Sequence, residues 1–521
     1  MIELNKFSLN KKIGGHKNCL LIKEFIEKFI EKEINSQLNS FSSVLGVPIE
    51  TIKDKSKQII FNKFNFQNGK FIFGFSFLKL FFDFLIFLFL IFSQIINFRR
   101  SYNSERKTID VMLDNVTHTD EIYRFKNILK NYEKSLVVFK KKVNFDRVIF
   151  EKSEIFYNNA LFKSSDFLNG KFKNLFFFSF KIFKISFYKK FNFFKIINVI
   201  LNSTINYSSL FDNYNVKYLL HDRFYTTCPV RNYFLKQKCN GKSAAVQVHL
   251  AESAISLFVF SETIFTLGNE QNTKDKLIGL GGKINFSEGV GSLKMEHLLD
   301  YKLAKDNKKY FSDILIIGIN ITDWYYTSEL TAEAYKKFLH LVKEISLTFP
   351  KKKIIYKHHS NFKWNKSEEK ILNKSNVKMI IDKKEIGNKI EYISNVLLKR
   401  IINFFSLQSK LDTKFNSLFY GSYYYLLNSK FIISFGSTMV LEAKGESKNA
   451  FFINPGSLEN PYTEGLDYLK EYIISDIEDL KEKILAAENS KLLVSDNENV
   501  CLKGDTSNLI CNYINNQLRS L

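Results

Sequence analysis

A hydroxyl pair, Ser437-Thr438, followed a turn later by the carboxylate of Glu442, has a spacing that can hold a nucleotide by its phosphates and by its ribose. Both features lie in residues 431–456, FIISFGSTMVLEAKGESKNAFFINPG. Residues 431–433 are a short apolar run suited to a buried parallel strand, stopped by Ser434-Phe435-Gly436. Ser437-Thr438 open an amphipathic helix carrying Met439, Val440, Leu441 and Ala443, Gly445 is placed to end it, and residues 450–453 form the next strand before Asn454-Pro455-Gly456. The first turn of such a helix offers backbone N–H groups and the positive end of the helix dipole, which suit a phosphate. Glu442 follows about 7–8 Å along the axis, at ~1.5 Å per residue, where a ribose diol would lie. A capped helix with a solvated glutamate has the same local pattern, and the residues alone leave both readings open.

The elements that must position this turn alternate between strand and helix. Residues 313–318 read as a strand, 330–347 as a helix stopped by Pro350, and 353–356 as the next strand, with Lys357-His358-His359-Ser360 at its carboxyl end. In open parallel sheets that edge is where ligands bind. Upstream, 109–113 reads as a strand, followed by Asp114-Asn115-Val116-Thr117-His118 and a helix through Leu129. Residues 147–150 and 216–220 are further strand candidates, the latter ending at His221-Asp222, and a helix at 230–238 leads to 244–248. Strand, helix, strand in this order implies parallel pairing with right-handed crossovers. Gly279, Gly281 and Gly282 read as turn glycines, because no helix suited to a phosphate loop follows them. Residues 388–405 read as an extra amphipathic helix, and Ser475-Asp476-Ile477-Glu478 as a capping box opening a final one.

The order of apolar strand, Ser-Gly-Ser-Thr-like turn, Glu-Ala, small residues, apolar strand and Asn-Pro resembles the nucleotide-sugar domain of GT-B glycosyltransferases. It is most similar to bacterial capsule and surface-polysaccharide transferases of the Kdo and CDP-glycerol types. The resemblance implies that Gly436, Ser437 and Thr438 hold the donor phosphates and Glu442 the ribose. Lys357-His358-His359-Ser360 is similar to the family's Lys-Pro-His-Pro but lacks both prolines, so either histidine can be the equivalent. Aligning the four residues directly makes Lys357 donor-binding and His359 the group that stabilises charge on the leaving diphosphate. Val246-Gln247-Val248-His249 resembles the family's Gln-His-Gly, with Val248 inserted and no glycine at 250, while Thr266-Leu267-Gly268 and Gly289-Val290-Gly291 resemble the end of its acceptor domain.

The resemblance spans roughly residues 108–490 and is clearest after 313. It implies an α/β fold of two Rossmann-like domains facing a cleft, donor in the second and acceptor in the first, with C-terminal helices crossing back. The implied reaction moves a sugar or polyol phosphate from a nucleotide-activated donor to a lipid-linked or growing glycan acceptor. No cofactor beyond that donor is implied, and no metal, since no Asp-x-Asp stands at a strand end. Inversion would require a general base in the first domain, for which Asp114, His118 and Asp222 lie near strand ends; each also suits a cap or a turn. A non-catalytic scaffold of the same fold and a sugar-nucleotide epimerase are the alternatives.

Composition bounds the rest. A chain of 521 residues has room for two or more domains with sizeable cores. The net charge is +23 and phenylalanine alone numbers 54, a Phe/Ile/Lys/Asn bias of the kind an A·T-rich genome produces. A basic surface still suits anionic partners such as phospholipid or nucleotide diphosphates. Cys19, Cys228, Cys239, Cys501 and Cys511 contain no CxxC pair, which points to reduced thiols and away from a zinc site or a disulfide framework. No cleavable signal pattern opens the chain.

Two segments fall outside this α/β pattern. Residues 71–98 are the most apolar part of the chain and include Lys79 and Asp83, which can pair on one helix face. The uncharged run 84–98 is shorter than the roughly 20 residues of a span. Both flanks are basic, so neither crossing direction is favoured. An in-plane or re-entrant anchor fits best; a single transmembrane span and a buried core helix stay open. Residues 171–195, KFKNLFFFSFKIFKISFYKKFNFFK, hold seven lysines, ten phenylalanines and no acid. Such an aromatic-basic helix suits an anionic membrane surface through Lys181, Lys184, Lys189 and Lys190. No RNP, helix-turn-helix or OB pattern points to nucleic acid. The expected organisation is a helical region at 1–70, a membrane-associating segment at 71–105, an acceptor domain at 106–300 with an insert at 171–195, a nucleotide-sugar domain at 301–475 and a helical segment at 476–521. The expected location is the cytoplasmic face of the inner membrane, peripheral or monotopic.

Overall fold

Apolar strands that each feed a helix pair in parallel, and this chain builds two sheets that way. The computed structural model describes residues 4, 7–10, 12–65, 68–96, 106–116, 119–139, 153–157, 171–251, 253, 255–299, 311–318, 329–357, 377–381, 384–385, 421–455, 460, 463–489, 500–502 and 504–519. A short antiparallel pair, β1 (Phe64–Asn65) and β2 (Lys70–Phe71), precedes the sheets.

The first sheet contains β3 (Lys107–Val116), β4 (Ser135–Phe139), β5 (Ser153–Tyr157), β6 (Tyr214–His221), β7 (Lys242–Val246), β8 (Phe260–Thr266) and β9 (Lys283–Gly289). Its order is β5-β4-β3-β6-β7-β8-β9, all parallel. The second contains β10 (Ser312–Ile317), β11 (Ile354–Lys357), β12 (Lys378–Ile381), β13 (Lys384–Glu385), β14 (Ser429–Ser434), β15 (Asn449–Ile453) and β16 (Ile473–Ile474). Its order is β13-β12-β11-β10-β14-β15-β16, parallel except for the edge strand β13. Counted from its own first strand, the first sheet runs 3-2-1-4-5-6-7 and the second 4-3-2-1-5-6-7, each doubly wound about that first strand. Direction therefore reverses between β3 and β6 in one sheet and between β10 and β14 in the other. The chain is thus an α/β protein with two Rossmann-like sheets.

The first sheet separates two cores, as strands with side chains alternating between faces require. Leu136 and Val138 of β4 point into one core, Val137 and Phe139 into the other. The second core is closed by Phe125 and Ile128 of the helix Thr119–Lys130 and by Ile510 and Ile514 of the C-terminal helix Thr506–Arg519. The first is closed by helices from both ends of a long sequence gap: Gly15–Phe29, Asn35–Leu45, Ile49–Phe61, Phe77–Ile96, Lys171–Lys189 and Phe194–Asn213. Residues that read as three separate segments share this one helical layer. Lys171–Lys189 lies in the crossover from β5 to β6.

Three local readings shift. The second strand of the first sheet is β4, Ser135–Phe139, while 147–150, like 388–405, lies outside the described residues. The cap of the helix Ile477–Glu488 is Asp476, whose Oδ1 accepts the Asp479 N–H at 2.9 Å, one residue later than the Ser475 box. That helix packs on the second domain, and the one returning to the first is Thr506–Arg519. The five cysteines form no disulfide bond.

Candidate active site

The switch point of the second sheet carries the hydroxyl-rich turn. Ile317 pairs with Ser434 across β10 and β14, and Ser434 Oγ donates to the Ile317 carbonyl at 2.7 Å. Phe435 is fully buried against Tyr335 and Phe338 of the helix Glu329–Thr348, which pins the chain where it leaves the strand. Gly436 and Ser437 are half-buried, and Ser437 Oγ accepts the Met439 N–H at 3.3 Å. The helix that follows is short, Met439–Gly445. Lys357 ends β11 on the same sheet edge with its side chain buried, and its carbonyl accepts the Gly318 N–H at 2.8 Å. His358 and His359 lie outside the described residues, as does His118.

Thr438 and Glu442 meet the first domain directly. Thr438 Oγ1 accepts the N–H of Leu250, in the loop after β7, at 2.9 Å. Glu442 is buried, with 2% of its surface exposed, and both carboxylate oxygens are engaged. Oε1 accepts from Ser292 Oγ at 2.6 Å, across the domain boundary, and Oε2 from the Tyr423 hydroxyl at 2.8 Å, within the second domain. Glu442 is therefore held by two hydroxyls, the functional groups of a ribose diol. The space beside it is 10 Å³, bounded by Ser292, Met295, Cys501 and Leu502, about the size of a single water site. Two residues on, the amine of Lys444 is buried 4.3 Å from the Phe451 ring centre and 4.9 Å from that of Tyr472. Burial lowers it to about 8, against the opposing pull of Glu471.

The glycine after β9 and the one that ends the helix Met439–Gly445 have a definite role here. Residues 500–502 cross from one domain to the other, and Leu502 N–H donates to the Leu267 carbonyl at 2.8 Å. A Cβ on Gly291 (φ 89°) would sit 2.4 Å from the Leu502 carbonyl oxygen, and one on Gly445 would sit 2.8 Å from that of Cys501. Both positions have to be glycine for the chain to pass.

The first sheet's switch point is filled by an ion pair. Asp114 at the end of β3 faces His221 at the end of β6, and Arg231 of the helix Pro229–Cys239 bridges them. Its guanidinium pairs with the Asp114 carboxylate and donates to His221 Nδ1. All three are essentially inaccessible, and burial pulls His221 down to about 3, so its ring is neutral. Asp222 is also buried; it accepts from Thr226 Oγ1 at 2.9 Å and pairs with Arg223 at 3.4 Å. The structure thus commits Asp114 and Asp222 to internal partners.

A histidine outside every motif occupies the junction instead. His16, at the start of the helix Gly15–Phe29, has its Nδ1 2.8 Å from Ser253 Oγ of the first domain. Its backbone N–H donates to Glu464 Oε2 of the second at 2.9 Å. The Glu464 carbonyl in turn accepts from Lys276 Nζ at 2.6 Å. The loop holding Glu464 abuts the hydroxyl-rich turn through Asn460, which donates to the Phe435 carbonyl at 2.5 Å. Burial, then the Lys276 cation, lowers His16 to about 4, so its ring is neutral at neutral pH. Among the described residues no group of three or more His, Cys, Asp or Glu side chains converges to hold a metal ion.

The membrane-facing candidates Lys181, Lys184, Lys189 and Lys190 all lie exposed, the first three on the helix Lys171–Lys189 and Lys190 just beyond its end. Lys189 Nζ also donates to the Glu33 carbonyl at 3.2 Å.

No protein-family model matches the chain, and no curated protein does. Solved structures do. The UDP-GlcNAc 2-epimerase from Neisseria meningitidis bound to UDP-GlcNAc is 11% identical, covering 80% of this chain and 100% of its own at a TM-score of 0.43. HepE from Anabaena in complex with UDP is 9% identical, with coverage of 80% and 100% and a TM-score of 0.38. The wall teichoic acid polymerase TagF is 10% identical, with coverage of 85% and 98% and a TM-score of 0.35. The class of the fold rests on the chain's own strand order.

Proposed function

We propose that the chain is a glycosyltransferase of the GT-B type, moving a sugar or polyol phosphate from a nucleotide-activated donor to a membrane-held glycan. One observation carries this reading: the switch point of one doubly wound sheet carries Gly436-Ser437-Thr438 and Glu442, and Thr438 and Glu442 meet the loops of a second doubly wound sheet. Gly436, Ser437 and Thr438 would bind the donor phosphates, and Glu442 would take the ribose diol in place of its present hydroxyl partners. The acceptor hydroxyl oxygen forms a bond to the anomeric carbon (or to phosphorus, for a polyol phosphate). The bond from that centre to the bridging oxygen breaks, and its electron pair goes to the departing nucleotide phosphate, whose charge Lys357 and His359 would stabilise. The acceptor proton goes to a base. Asp114 and Asp222 are held by internal partners, which leaves His118 and adds His16, a neutral imidazole already at the junction.

A thermal-shift panel of CMP-, CDP-, UDP-, GDP- and dTDP-sugars tests the reading. A ligand at 100 times its Kd stabilises the folded chain by about 2.7 kcal/mol. Glu442→Gln is expected to weaken binding by about 1.5–3 kcal/mol, the worth of a hydrogen bond to a charged group. No response to any nucleotide would remove the donor site. The engagement of Thr438 and Glu442 by the first domain favours a second reading, a non-catalytic scaffold of the same fold. Donor binding without turnover on any glycan acceptor would select it, and interconversion of the free sugar nucleotide would select an epimerase.

A further inference from the structure

The helices Phe77–Ile96 and Lys171–Lys189 come from distant parts of the sequence and pack side by side, antiparallel. Ring contacts fix the register: Phe77 meets Phe187 at 5.9 Å, Phe84 meets Phe180 at 5.4 Å, and Phe92 meets Phe172 at 5.4 Å. Leu78, Phe82, Leu85, Phe89 and Phe92 recur on the first helix at steps of three and four, so they form one stripe, and all are exposed. Phe177, Phe180, Phe187 and Tyr188 continue the apolar surface on the second helix, with Phe177 61% and Tyr188 71% exposed. More than half of the exposed large hydrophobic side chains among the described residues lie on this one pair. A contiguous apolar face of this kind on a folded protein marks an interaction site.

The opposite side of the first helix belongs to the core. Leu80, Phe87 and Ile91 are buried, and the Phe87 ring packs tilted against Phe41 and edge-on to Phe194. Asp83 turns inward, where its Oδ2 accepts from Asn192 at 2.6 Å and its carbonyl from Asn198 at 2.8 Å. A helix held this way cannot cross a bilayer without leaving the fold. Its apolar face can lie flat on one.

Charge selects the occupant. Lys79 lies on the first helix, and Lys173, Lys181, Lys184 and Lys190 are exposed on or at the end of the second, which has no acid. The only acid of the first helix is the inward-turned Asp83. Aromatic side chains rimmed by lysine with no opposing acid fit the interface of a bilayer containing anionic phospholipid. We propose that these two helices form one composite platform that docks the protein in-plane on an anionic membrane, inserting the stripe from Leu78 to Phe92 while the lysines meet the headgroups. This stands apart from the nucleotide reading.

Flotation of the purified full chain with vesicles tests it, comparing phosphatidylcholine alone with the same lipid containing about 30 mol% phosphatidylglycerol. The chain is expected to float with the anionic vesicles and to be released by salt. Lys181→Gln with Lys184→Gln should weaken partitioning about fivefold per lysine removed. Phe82→Asn with Phe89→Asn should abolish it while leaving the circular dichroism spectrum and nucleotide binding unchanged, since both side chains face solvent. A chain that stays with the soluble fraction would overturn the proposal, as would a Phe82/Phe89 variant that binds as well as wild type. Resistance to alkaline carbonate extraction would replace the in-plane platform with a span. A dimer broken by the same variant, without vesicle binding, would assign the face to a second copy of the chain.

Discussion

Ser292 and Glu442 belong to different domains, and their side chains meet at 2.6 Å in a space with room for about one water. Tyr423 holds the other carboxylate oxygen from within Glu442's own domain. Removing one hydroxyl therefore loosens the domain boundary, and removing the other does not. Ser292→Ala is expected to raise the affinity for a nucleoside diphosphate, because the carboxylate loses a competitor, and to increase the radius of gyration in small-angle scattering. Tyr423→Phe should leave the scattering unchanged. Equal scattering for all three proteins would show that this contact does not hold the domains together.

His16 makes stability depend on pH in a direction that can be worked out. Its folded value is near 4 and its ordinary value is 6.5, so between these the unfolded chain binds the extra proton. Stability should then be full above about 6.5 and fall as pH drops toward 4. The groups facing the ring are Ser253, Lys276 and Glu464, and the Lys276 cation acts in the same direction as burial. His16→Gln should flatten the slope between pH 4 and 6.5 in urea unfolding; an unchanged slope would place the proton uptake elsewhere.

The crossing at residues 500–502 leaves no room for a methyl group at Gly291 or Gly445. Gly291→Ala combines left-handed backbone strain with a clash against backbone, and should cost about 2–4 kcal/mol. Gly445→Ala meets only the clash and should cost about 1–3 kcal/mol. Gly74→Ala, with open space around it, is the control and should lie within about 0.5 kcal/mol of wild type. Chemical denaturation midpoints at constant slope decide.

The buried pair of Arg231 and Asp114 should show the asymmetry of interior charge. Arg231→Met strands a carboxylate in the core and is expected to cost about 3–5 kcal/mol. Adding Asp114→Leu removes the stranded charge and should recover much of that loss. A double variant as unstable as the single one would mean that Arg231 matters through His221 and the Thr226 carbonyl it also reaches, rather than through Asp114.

What was legible in the sequence was whatever repeats locally. Residues 431–453 could be read as strand, helix and strand because the strands are unbroken apolar runs and the turn between them has small residues. β4 escaped notice because five residues, Ser135–Phe139, are hemmed by Glu133-Lys134 and by Lys140-Lys141-Lys142, too short a run to stand out. The partners of Glu442 could not be found that way, since Ser292 is 150 positions distant. His16 is further still, 237 positions from Ser253 and 448 from Glu464, in a region without a chemical motif. The apolar character of 77–92 was plain, but an all-apolar helix does not say which face the core will take. That face was decided by packing against Phe41 and Phe194.

The return of the chain at residues 500–502 has a mechanical meaning. Leu502 N–H is bonded to the Leu267 carbonyl, so residues 500–502 tie the two units together through the main chain itself. Cys501 and Leu502 line the same small space as Ser292 and Glu442. The Ser292–Glu442 bond thus lies beside a covalent tether, where it acts on a short lever arm. A ligand that replaces one hydroxyl there would act on the two units at the point where they are tied.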